Sequence, residues 1–356
     1  MAIIVGQPGD DIQLKDPANR ADTIFGDRQD TLSGIGRNDR IFALDLDDVL
    51  IDDAQDIAAS GQGGDDVMFG GTGSDSLYGD ARLTLRGIGG SDLLSAGVAG
   101  SARQLLYGDA FTMAAGSRGG SDRLEGGHEM TGDGANLTGA IGGHDLIDAR
   151  DVTGGSNIRL YGDALGTMSG GSHGGDDRLL GSALGGRLTG DAVLLLDTST
   201  GGDDDLTGNA GADVIFGDAA EAVRGFAVAG NDVVRGRAGS DELFGDAPDL
   251  TGASQGGDDS LYSGAGNDRL WGDGRLAGGA HGGNDVFHFA GHFGDDKILD
   301  FRDGEDQLVF NGFLQIDISI DRDDGNTIIT TAPGDTVSIL DFTGPLSFGT
   351  DILLLG

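Results

Sequence analysis

Several residue types are scarce in this chain of 356 residues. It has no cysteine, one tryptophan and five prolines, while 70 of its residues are glycine. The lack of cysteine excludes a disulfide framework and thiolate metal sites. No apolar run approaches the roughly 18 residues that cross a membrane. The segment from Met1 to Gly9 has no basic stretch and too short an apolar run for a cleaved signal peptide.

Positive charge is scarce as well. The 22 basic residues stand against 60 acidic ones, which gives a formal charge of -38 at pH 7. Such a charge repels phosphate backbones and anionic lipid, so we expect no nucleic-acid partner and no binding to a membrane surface. High charge with few aromatic residues usually indicates disorder. An ordered fold is expected only if the acids and glycines recur at regular positions.

Glycine and aspartate do recur regularly. Copies of Gly-Gly-x-Asp, one of them lacking its first glycine, place aspartates 23 to 32 residues apart at Asp66, Asp92, Asp122, Asp145, Asp177, Asp204, Asp232, Asp259 and Asp285. A second aspartate lies nine residues after four of these, at Asp75, Asp213, Asp241 and Asp268. Two positions after each of the thirteen comes a large apolar residue. This spacing is typical of a repeat protein in which a turn precedes each short strand.

Residues 264–270 read Gly-Ala-Gly-Asn-Asp-Arg-Leu and follow the nonapeptide G-G-x-G-x-D-x-U-x. This pattern resembles the repeats-in-toxin (RTX), or haemolysin-type, calcium-binding repeat family, and the resemblance covers about residues 60–290. It implies an all-β fold: a right-handed parallel β-roll or β-solenoid with a small C-terminal antiparallel β cap. It also implies several bound Ca²⁺ ions.

The chemistry of the motif favours calcium independently of the resemblance. Carboxylates and glycine carbonyls are hard oxygen ligands, which suit Ca²⁺ better than zinc or copper. A single copy is equally consistent with an ordinary turn; the whole set predicts a metal ladder. We therefore predict that the thirteen aspartates are metal ligands together with Gly64, Gly73, Gly90, Gly202, Gly211, Gly239, Gly257, Gly266 and Gly283. Because stacked carboxylates repel without a cation, we expect metal binding and folding to be coupled.

The repeat length predicts an unusual coil. A plain β-roll uses about 18 residues per coil, whereas the unit here is about 27 residues, with a long return after the second motif. Six returns begin with aromatic-Gly-Asp, at residues 78–80, 107–109, 161–163, 216–218, 244–246 and 271–273. We predict one coil per unit with one side elongated into a protruding loop; an 18-residue coil that drifts against the sequence period is the alternative. Apolar residues at these protrusions, namely Leu83, Leu85, Met113, Met168, Leu194, Leu196 and Phe226, form either a lateral ridge for assembly or local packing.

The middle units depart from the pattern. Between Asp92 and Asp204 the second aspartate is missing, and counting nine residues places Ser101 and Gly186 at two of its positions. We therefore expect an unbroken metal ladder on one side of the solenoid and a partial ladder on the other.

The two ends differ from the repeats. Residues 1–60 are predicted to form degenerate N-terminal capping coils, in which Ile3-Ile4-Val5 supplies the first edge strand. Residues 61–290 form the calcium-binding β-roll, and residues 291–356 form the C-terminal β cap. The ending Asp351-Ile352-Leu353-Leu354-Leu355-Gly356 resembles the uncleaved type I export signal of the family, and a final edge strand fits it as well.

The sequence gives no indication of an enzyme. The zinc-protease motif His-Glu-x-x-His is absent, and the two matches to G-x-S-x-G, at residues 170–174 and 252–256, lie in glycine-rich repeats instead of between a strand and a helix. We predict a secreted calcium-binding structural protein of the cell surface or matrix that folds, and can self-assemble, after type I export. The alternatives are a soluble extracellular adhesion or signalling module and, less favoured, a polysaccharide-modifying solenoid enzyme.

Overall fold

A computed structural model describes residues 3–5, 21–43, 45–97, 103–332 and 334–355. Ser101 lies outside these residues. The first strands are β1 (Ile3–Val5), β2 (Thr23–Phe25), β3 (Thr31–Leu32), β4 (Arg40–Phe42), β5 (Val49–Ile51), β6 (Ala54–Ile57), β7 (Val67–Phe69), β8 (Ser76–Tyr78), β9 (Ala81–Leu85), β10 (Leu93–Ser95), β11 (Leu105–Tyr107) and β12 (Ala110–Met113). The middle strands are β13 (Arg123–Glu125), β14 (Glu129–Thr131), β15 (Gly134–Thr138), β16 (Leu146–Asp148), β17 (Arg159–Tyr161), β18 (Ala164–Ser169), β19 (Arg178–Leu180), β20 (Arg187–Thr189), β21 (Ala192–Leu195), β22 (Asp205–Thr207), β23 (Val214–Phe216) and β24 (Ala219–Gly225).

The remaining strands are β25 (Val233–Gly239), β26 (Glu242–Phe244), β27 (Asp249–Gly252), β28 (Ser260–Gly266), β29 (Arg269–Trp271), β30 (Arg275–Ala277), β31 (Val286–Ala290), β32 (Asp295–Ile298), β33 (Gln307–Asn311), β34 (Ile318–Asp323), β35 (Asn326–Thr331), β36 (Thr336–Ile339) and β37 (Ile352–Leu355). A 3₁₀ helix covers Gln315–Asp317. No helix in the described ranges is both long and apolar enough to cross a bilayer.

The chain winds as a parallel β-solenoid of about 10 turns, and each coil contributes one strand to each of three sheets. Sheet I has 15 strands in the order β1-β2-β5-β8-β11-β14-β17-β20-β23-β26-β29-β32-β36-β35-β34. Sheet II has 12 strands, β37-β33-β31-β28-β25-β22-β19-β16-β13-β10-β7-β4, and sheet III has 10, β3-β6-β9-β12-β15-β18-β21-β24-β27-β30. Strand pairing offsets one coil from the next by a full repeat, as in Leu206↔Val234 and Val234↔Leu261. The 27-residue coil is therefore confirmed, and the drifting 18-residue coil is wrong.

The main core lies between sheets I and II. The central residue of each three-residue strand points inward, so that Met68, Leu77, Leu94 and Leu106 are completely buried and stack on their counterparts in neighbouring coils. Strands with alternating side chains present one inward position here because they are so short. Burying each such side chain contributes roughly 1.5–3 kcal/mol, so the core depends on its repetition along the axis.

The long side of each coil is not a protruding loop. It forms sheet III, which covers a second apolar core of alanines and single large residues, including Ala81, Leu85, Ala110 and Met113. Leu85, Met113 and Met168 are completely buried in this side core, so local packing accounts for them. Leu83 and Phe226 are exposed on the outer surface. The prediction of a protruding loop was wrong. Successive returns instead pair with each other as parallel strands.

Both ends extend the sheets. β1 pairs with β2 at the N-terminal edge of sheet I, as the apolar run predicts. At the other end β34 and β35 pair antiparallel, and β35 pairs antiparallel with β36. β37 adds to sheet II as its last, parallel strand, so residues 352–355 form the final edge strand that was one interpretation of this segment.

Candidate metal sites

One set of predicted aspartates lies at the turn between sheet II and sheet I. We call it the corner row; it consists of the predicted Asp75, Asp213, Asp241 and Asp268 together with Asp296, which was not among the predicted ligands. Each lies just before a strand of sheet I or within its first residues. The backbone amide of Asp213 donates to Asp241 Oδ1 at 2.8 Å, and that of Asp241 donates to Asp268 Oδ1 at 2.8 Å. The same contact joins Asp268 to Asp296 at 2.9 Å. Each carboxylate therefore faces the turn of the preceding coil.

The glycines of this corner are required by space. Gly73, Gly239 and Gly266 adopt φ values of +146°, +155° and +147°, a region that favours glycine. A Cβ on Gly266 would lie 1.5 Å from the carbonyl oxygen of Gly239. The turns of adjacent coils thus approach so closely that their carbonyl oxygens lie beside the carboxylates.

The second set of predicted aspartates ends the return from sheet III to sheet II. We call it the return row; it consists of Asp66, Asp92, Asp122, Asp145, Asp177, Asp204, Asp232, Asp259 and Asp285. From Asp92 onward, Oδ1 accepts a hydrogen bond from the backbone amide of the return-row aspartate one coil before, as in Asp66 N to Asp92 Oδ1 at 2.8 Å, and Asp66 Oδ1 accepts one from Asp39 N at 2.7 Å. Their second glycines stack equally tightly, since a Cβ on Gly90 would lie 1.4 Å from the carbonyl oxygen of Gly64. The two rows lie at different corners of the coil.

The other carboxylate oxygen in these rows has no hydrogen-bond partner. This holds for Oδ2 of every return-row aspartate and of Asp75, Asp241, Asp268 and Asp296, and for Oδ1 of Asp213. The residues are at most 4 % exposed. A buried, unpaired charge is costly unless a cation or a donor compensates it. Among the described residues no three or more Asp, Glu, His or Cys side chains converge as a metal-binding group, so a cation here would take carboxylates together with backbone carbonyls.

Burial also raises the pKa of these carboxyl groups. Burial, with repulsion from Asp53, raises the pKa of Asp66 to about 9. Burial, with repulsion from Asp273, raises that of Asp285 to about 9. In the corner row burial raises the pKa to about 7 for Asp268 and about 6 for Asp241. The fold therefore disfavours ionised carboxylates without counter-charge, which is the electrostatic condition for cation binding.

The corner row is interrupted in the middle coils. The strand register places Gln104, His128, Ile158 and Gly186 at the positions equivalent to Asp75 and Asp213. Gly186 was expected there from the sequence, whereas Gln104 takes the position for which the count had given Ser101. The Gln104 amide nitrogen donates to the carbonyl oxygens of Ala96, at 3.0 Å, and Gly73, at 3.4 Å. In this coil the amide of Gln104 thus contacts carbonyl oxygens of the corner.

A third row of aspartates was missed as a candidate ligand set. We call it the waist row; it consists of Asp80, Asp109, Asp133, Asp163, Asp191, Asp218, Asp246 and Asp273. All but Asp273 are completely inaccessible, and Asp273 is 2 % exposed. The signal was present in the aromatic-Gly-Asp repeat, which marked only the start of the return in the sequence. The preceding aromatic rings stack between coils, with Phe244 and Trp271 centred 4.2 Å apart.

Comparison with known protein families agrees with the repeat geometry. The model of the RTX calcium-binding nonapeptide repeat matches four copies, at residues 60–81, 198–220, 226–247 and 254–274. Each match spans a return-row motif, a corner and the following Gly-Asp. A comparison with curated protein sequences finds no match. The chain therefore contains RTX calcium-binding repeats within a parallel β-solenoid, and these repeats imply multiple Ca²⁺ ions.

Proposed function

We propose that this chain is a secreted structural protein whose solenoid closes on calcium outside the cell. The observation that supports this most strongly is the pair of aspartate rows, in which one buried oxygen of each carboxylate accepts no hydrogen bond. A Ca²⁺ ion at each position would neutralise these oxygens and join adjacent coils, so folding and binding become one equilibrium. This proposal requires no enzymatic site, because the folded solenoid itself performs the structural role.

The proposed ligands follow from the two rows. In the corner row they are Asp75, Asp213, Asp241 and Asp268 with carbonyl oxygens from the turn glycines of adjacent coils. In the return row they are the nine Gly-Gly-x-Asp carboxylates. All of these donors are oxygen atoms, and Ca²⁺ accepts six to eight such ligands at about 2.3–2.6 Å in flexible geometry. Mg²⁺ requires shorter bonds in a rigid octahedron and fits stacked, irregular turns less well.

The place of folding follows from calcium concentration. Extracellular calcium-binding modules have dissociation constants of about 10⁻⁴–10⁻³ M, far above the calcium level of the cytosol. In the cytosol the acidic rows would repel and keep the repeats unfolded, which suits passage through a type I export channel. The acidic and apolar segment 351–356 is the proposed export signal, and the cell surface or surrounding matrix is the proposed destination.

Self-association is the further part of this proposal. Among the described residues sheet I ends at β1, which carries the exposed residues Ile3 and Val5. An open strand edge is a template for pairing with another chain. Leu83, Phe111 and Phe226 add exposed apolar surface to the side of sheet III. Calcium would create these surfaces by ordering the coils, so assembly should follow folding.

A calcium titration tests the proposal. Far-UV circular dichroism and light scattering are recorded on one sample from chelator to millimolar calcium, and magnesium serves as the matched cation. We expect a cooperative gain of β signal with calcium, followed by a rise in particle mass. Unchanged β structure in chelator would refute calcium-coupled folding. A folded monomer at all protein concentrations would refute assembly and favour a soluble binding module.

Two variants test whether the corner row contributes calcium ligands. Asp268→Asn removes one corner-row charge, whereas Asp258→Asn removes an exposed charge ten residues earlier in the same repeat. We expect the calcium midpoint to rise for Asp268→Asn and to stay near the wild-type value for Asp258→Asn. Equal midpoints would remove the corner row from the proposed ligand set.

A further inference from the structure

The waist row lies between the two apolar cores. In each coil the chain leaves the main core through Gly-Asp, runs along sheet III over the side core, and comes back through Gly-Gly-x-Asp. The waist and return carboxylates therefore face each other inside the molecule. One oxygen of each waist aspartate accepts a hydrogen bond from the second glycine of the returning segment, as in Gly120 N to Asp109 Oδ1 at 3.0 Å and Gly143 N to Asp133 Oδ1 at 2.9 Å.

In six of the eight waist aspartates the other carboxylate oxygen accepts no hydrogen bond. Oδ2 is buried and unpaired in Asp109, Asp133, Asp163, Asp191, Asp218 and Asp246. Consecutive members also approach each other, because the Cβ position of Gly119 lies 1.8 Å from Asp133 Oδ1 and 2.5 Å from Asp109 Oδ2. Two carboxylates at such a separation in a dry interior cannot both be ionised without a compensating charge.

The unpaired oxygens of the return row lie beside the glycines that immediately precede the waist aspartates. The Cβ position of Gly108 lies 2.0 Å from Asp122 Oδ2 and 1.8 Å from the carbonyl oxygen of Gly132 in the next coil. The two oxygens are thus within about 4 Å of each other, and oxygens that share a calcium ion can be up to about 5 Å apart. The same convergence recurs along the row: at Gly217, for example, the corresponding oxygens are Asp232 Oδ2, at 2.0 Å, and the Gly245 carbonyl, at 1.7 Å.

The C-terminal end of the row contains a cation supplied by the chain. The Arg302 guanidinium Nη2 lies 2.7 Å from Asp273 Oδ2 and 3.6 Å from Asp285 Oδ2, and it donates to the carbonyl oxygen of Gly283. It also lies 3.5 Å from Asp306 Oδ1. Asp273 is the last waist aspartate and Asp285 the last return-row aspartate. In the part of the chain that the structure describes, every ion pair to the waist row comes from Arg302.

We propose that the waist is a line of calcium sites, one between each pair of adjacent coils, and that Arg302 occupies the last position of the line. Each site takes a waist carboxylate, a return-row carboxylate and a Gly carbonyl of the next coil. This inference rests on the proposed calcium-dependent fold and adds a ligand set outside the Gly-x-Gly-x-Asp turns. The waist row runs through the middle coils as well, where Gln104 and Gly186 interrupt the corner row. Calcium is thereby held along the whole repeat region.

Calcium counting on the full chain tests the line. Bound calcium per chain is measured by equilibrium dialysis at saturating calcium for the wild type, Asp218→Asn and the exposed control Asp203→Asn, with circular dichroism to verify folding. We expect Asp218→Asn to lose at least one ion and Asp203→Asn to lose none. A folded Asp218→Asn chain that binds the wild-type number of ions would overturn the inference.

A gain of binding provides the second readout. Arg302→Gln removes the guanidinium and leaves Asp273, Asp285 and Asp306 free to hold one more ion, so we expect the bound calcium to rise by one. An unchanged or lower number in Arg302→Gln would overturn the inference even if Asp218→Asn fails to fold. Loss of calcium from Asp241→Asn but not from Asp218→Asn would reject the waist line and retain the proposed function. A wild-type chain without bound calcium would reject both.

Discussion

Acid should replace calcium in folding this chain. Burial raises the pKa of Asp213 to about 6 and that of Asp296 to about 8 in the calcium-free fold, from an ordinary value of 3.8. A group whose pKa is higher in the folded chain stabilises the fold below its ordinary pKa, and this stabilisation is lost as the pH rises through the folded value. Calcium-free solenoid should therefore be most stable in acid and lose stability between about pH 4 and about pH 8.

The magnitude is large relative to the stability of a protein. Each tenfold change in a protonation equilibrium corresponds to about 1.4 kcal/mol, so ionising Asp213 costs the fold about 3 kcal/mol and ionising Asp296 about 6 kcal/mol. Together the two residues cost about 9 kcal/mol, which is comparable to a typical free energy of unfolding of about 5–15 kcal/mol. Many more aspartates of the return and waist rows have raised pKa values, including Asp122, at about 8. Calcium-free protein at neutral pH should be unfolded.

The assay is far-UV circular dichroism in chelator at several pH values above the isoelectric point of about 4.1. We expect β signal near pH 5 and its loss by about pH 8, with Asp213→Asn moving the transition to higher pH because this group no longer ionises. The same series in millimolar calcium is the control and should keep its β signal throughout. A calcium-free spectrum that is the same at both ends of the range would refute the electrostatic reasoning.

Three further predictions concern packing and turns. Leu243→Ala in the main core should lower the free energy of unfolding in saturating calcium by about 2–5 kcal/mol, measured by urea denaturation; a loss below about 1 kcal/mol would contradict the buried stack. Gly90→Ala should abolish the β signal even in calcium, because its Cβ would meet the Gly64 carbonyl at 1.4 Å, whereas Gly34→Ala, with no atom within 4 Å of its Cβ, should melt like the wild type. Gln104→Ala should cost about 1–3 kcal/mol through its lost hydrogen bonds and leave the number of bound calcium ions unchanged; a lower calcium number in dialysis would show that this coil does bind a cation.

The sequence predicted the periodic part of the fold because that part repeats at fixed positions. Asp-x-apolar triplets identified the strands of sheets I and II, since each buries one large residue beside a turn. Sheet III was not recognised because its inward residues are mostly alanines, and register shifts, as between Ala54 and Asp56 against β9, remove a constant spacing. Inward-facing alanines give no hydrophobic periodicity that can be recognised in a sequence.

The candidate site residues likewise divide into those that the sequence pattern predicted and those that it missed. The return-row aspartates and four members of the corner row were predicted as ligands from their motifs, whereas Asp80 and its equivalents were taken only as the start of the return. Their role depends on a contact with the returning segment ten or more residues later, as in Gly90 N to Asp80 Oδ1 at 2.9 Å. Gln104 was missed because the preceding turn has a different length, so that counting nine residues led to Ser101. Only the pairing of β8 with β11 sets that register.

The orientation of the hydrogen bonds has a mechanical consequence. Parallel strand pairing ties nearly every coil to the next, and the proposed cation ligands would add a second tie across the same coil boundary. Force applied along the axis would therefore load one boundary at a time, and the end coil would peel away before its neighbours yield. Each event would release a repeat of about 27 residues, or about 9 nm of extended chain. Calcium would set the force at which each boundary gives way, and the chain would lengthen in steps instead of failing at once.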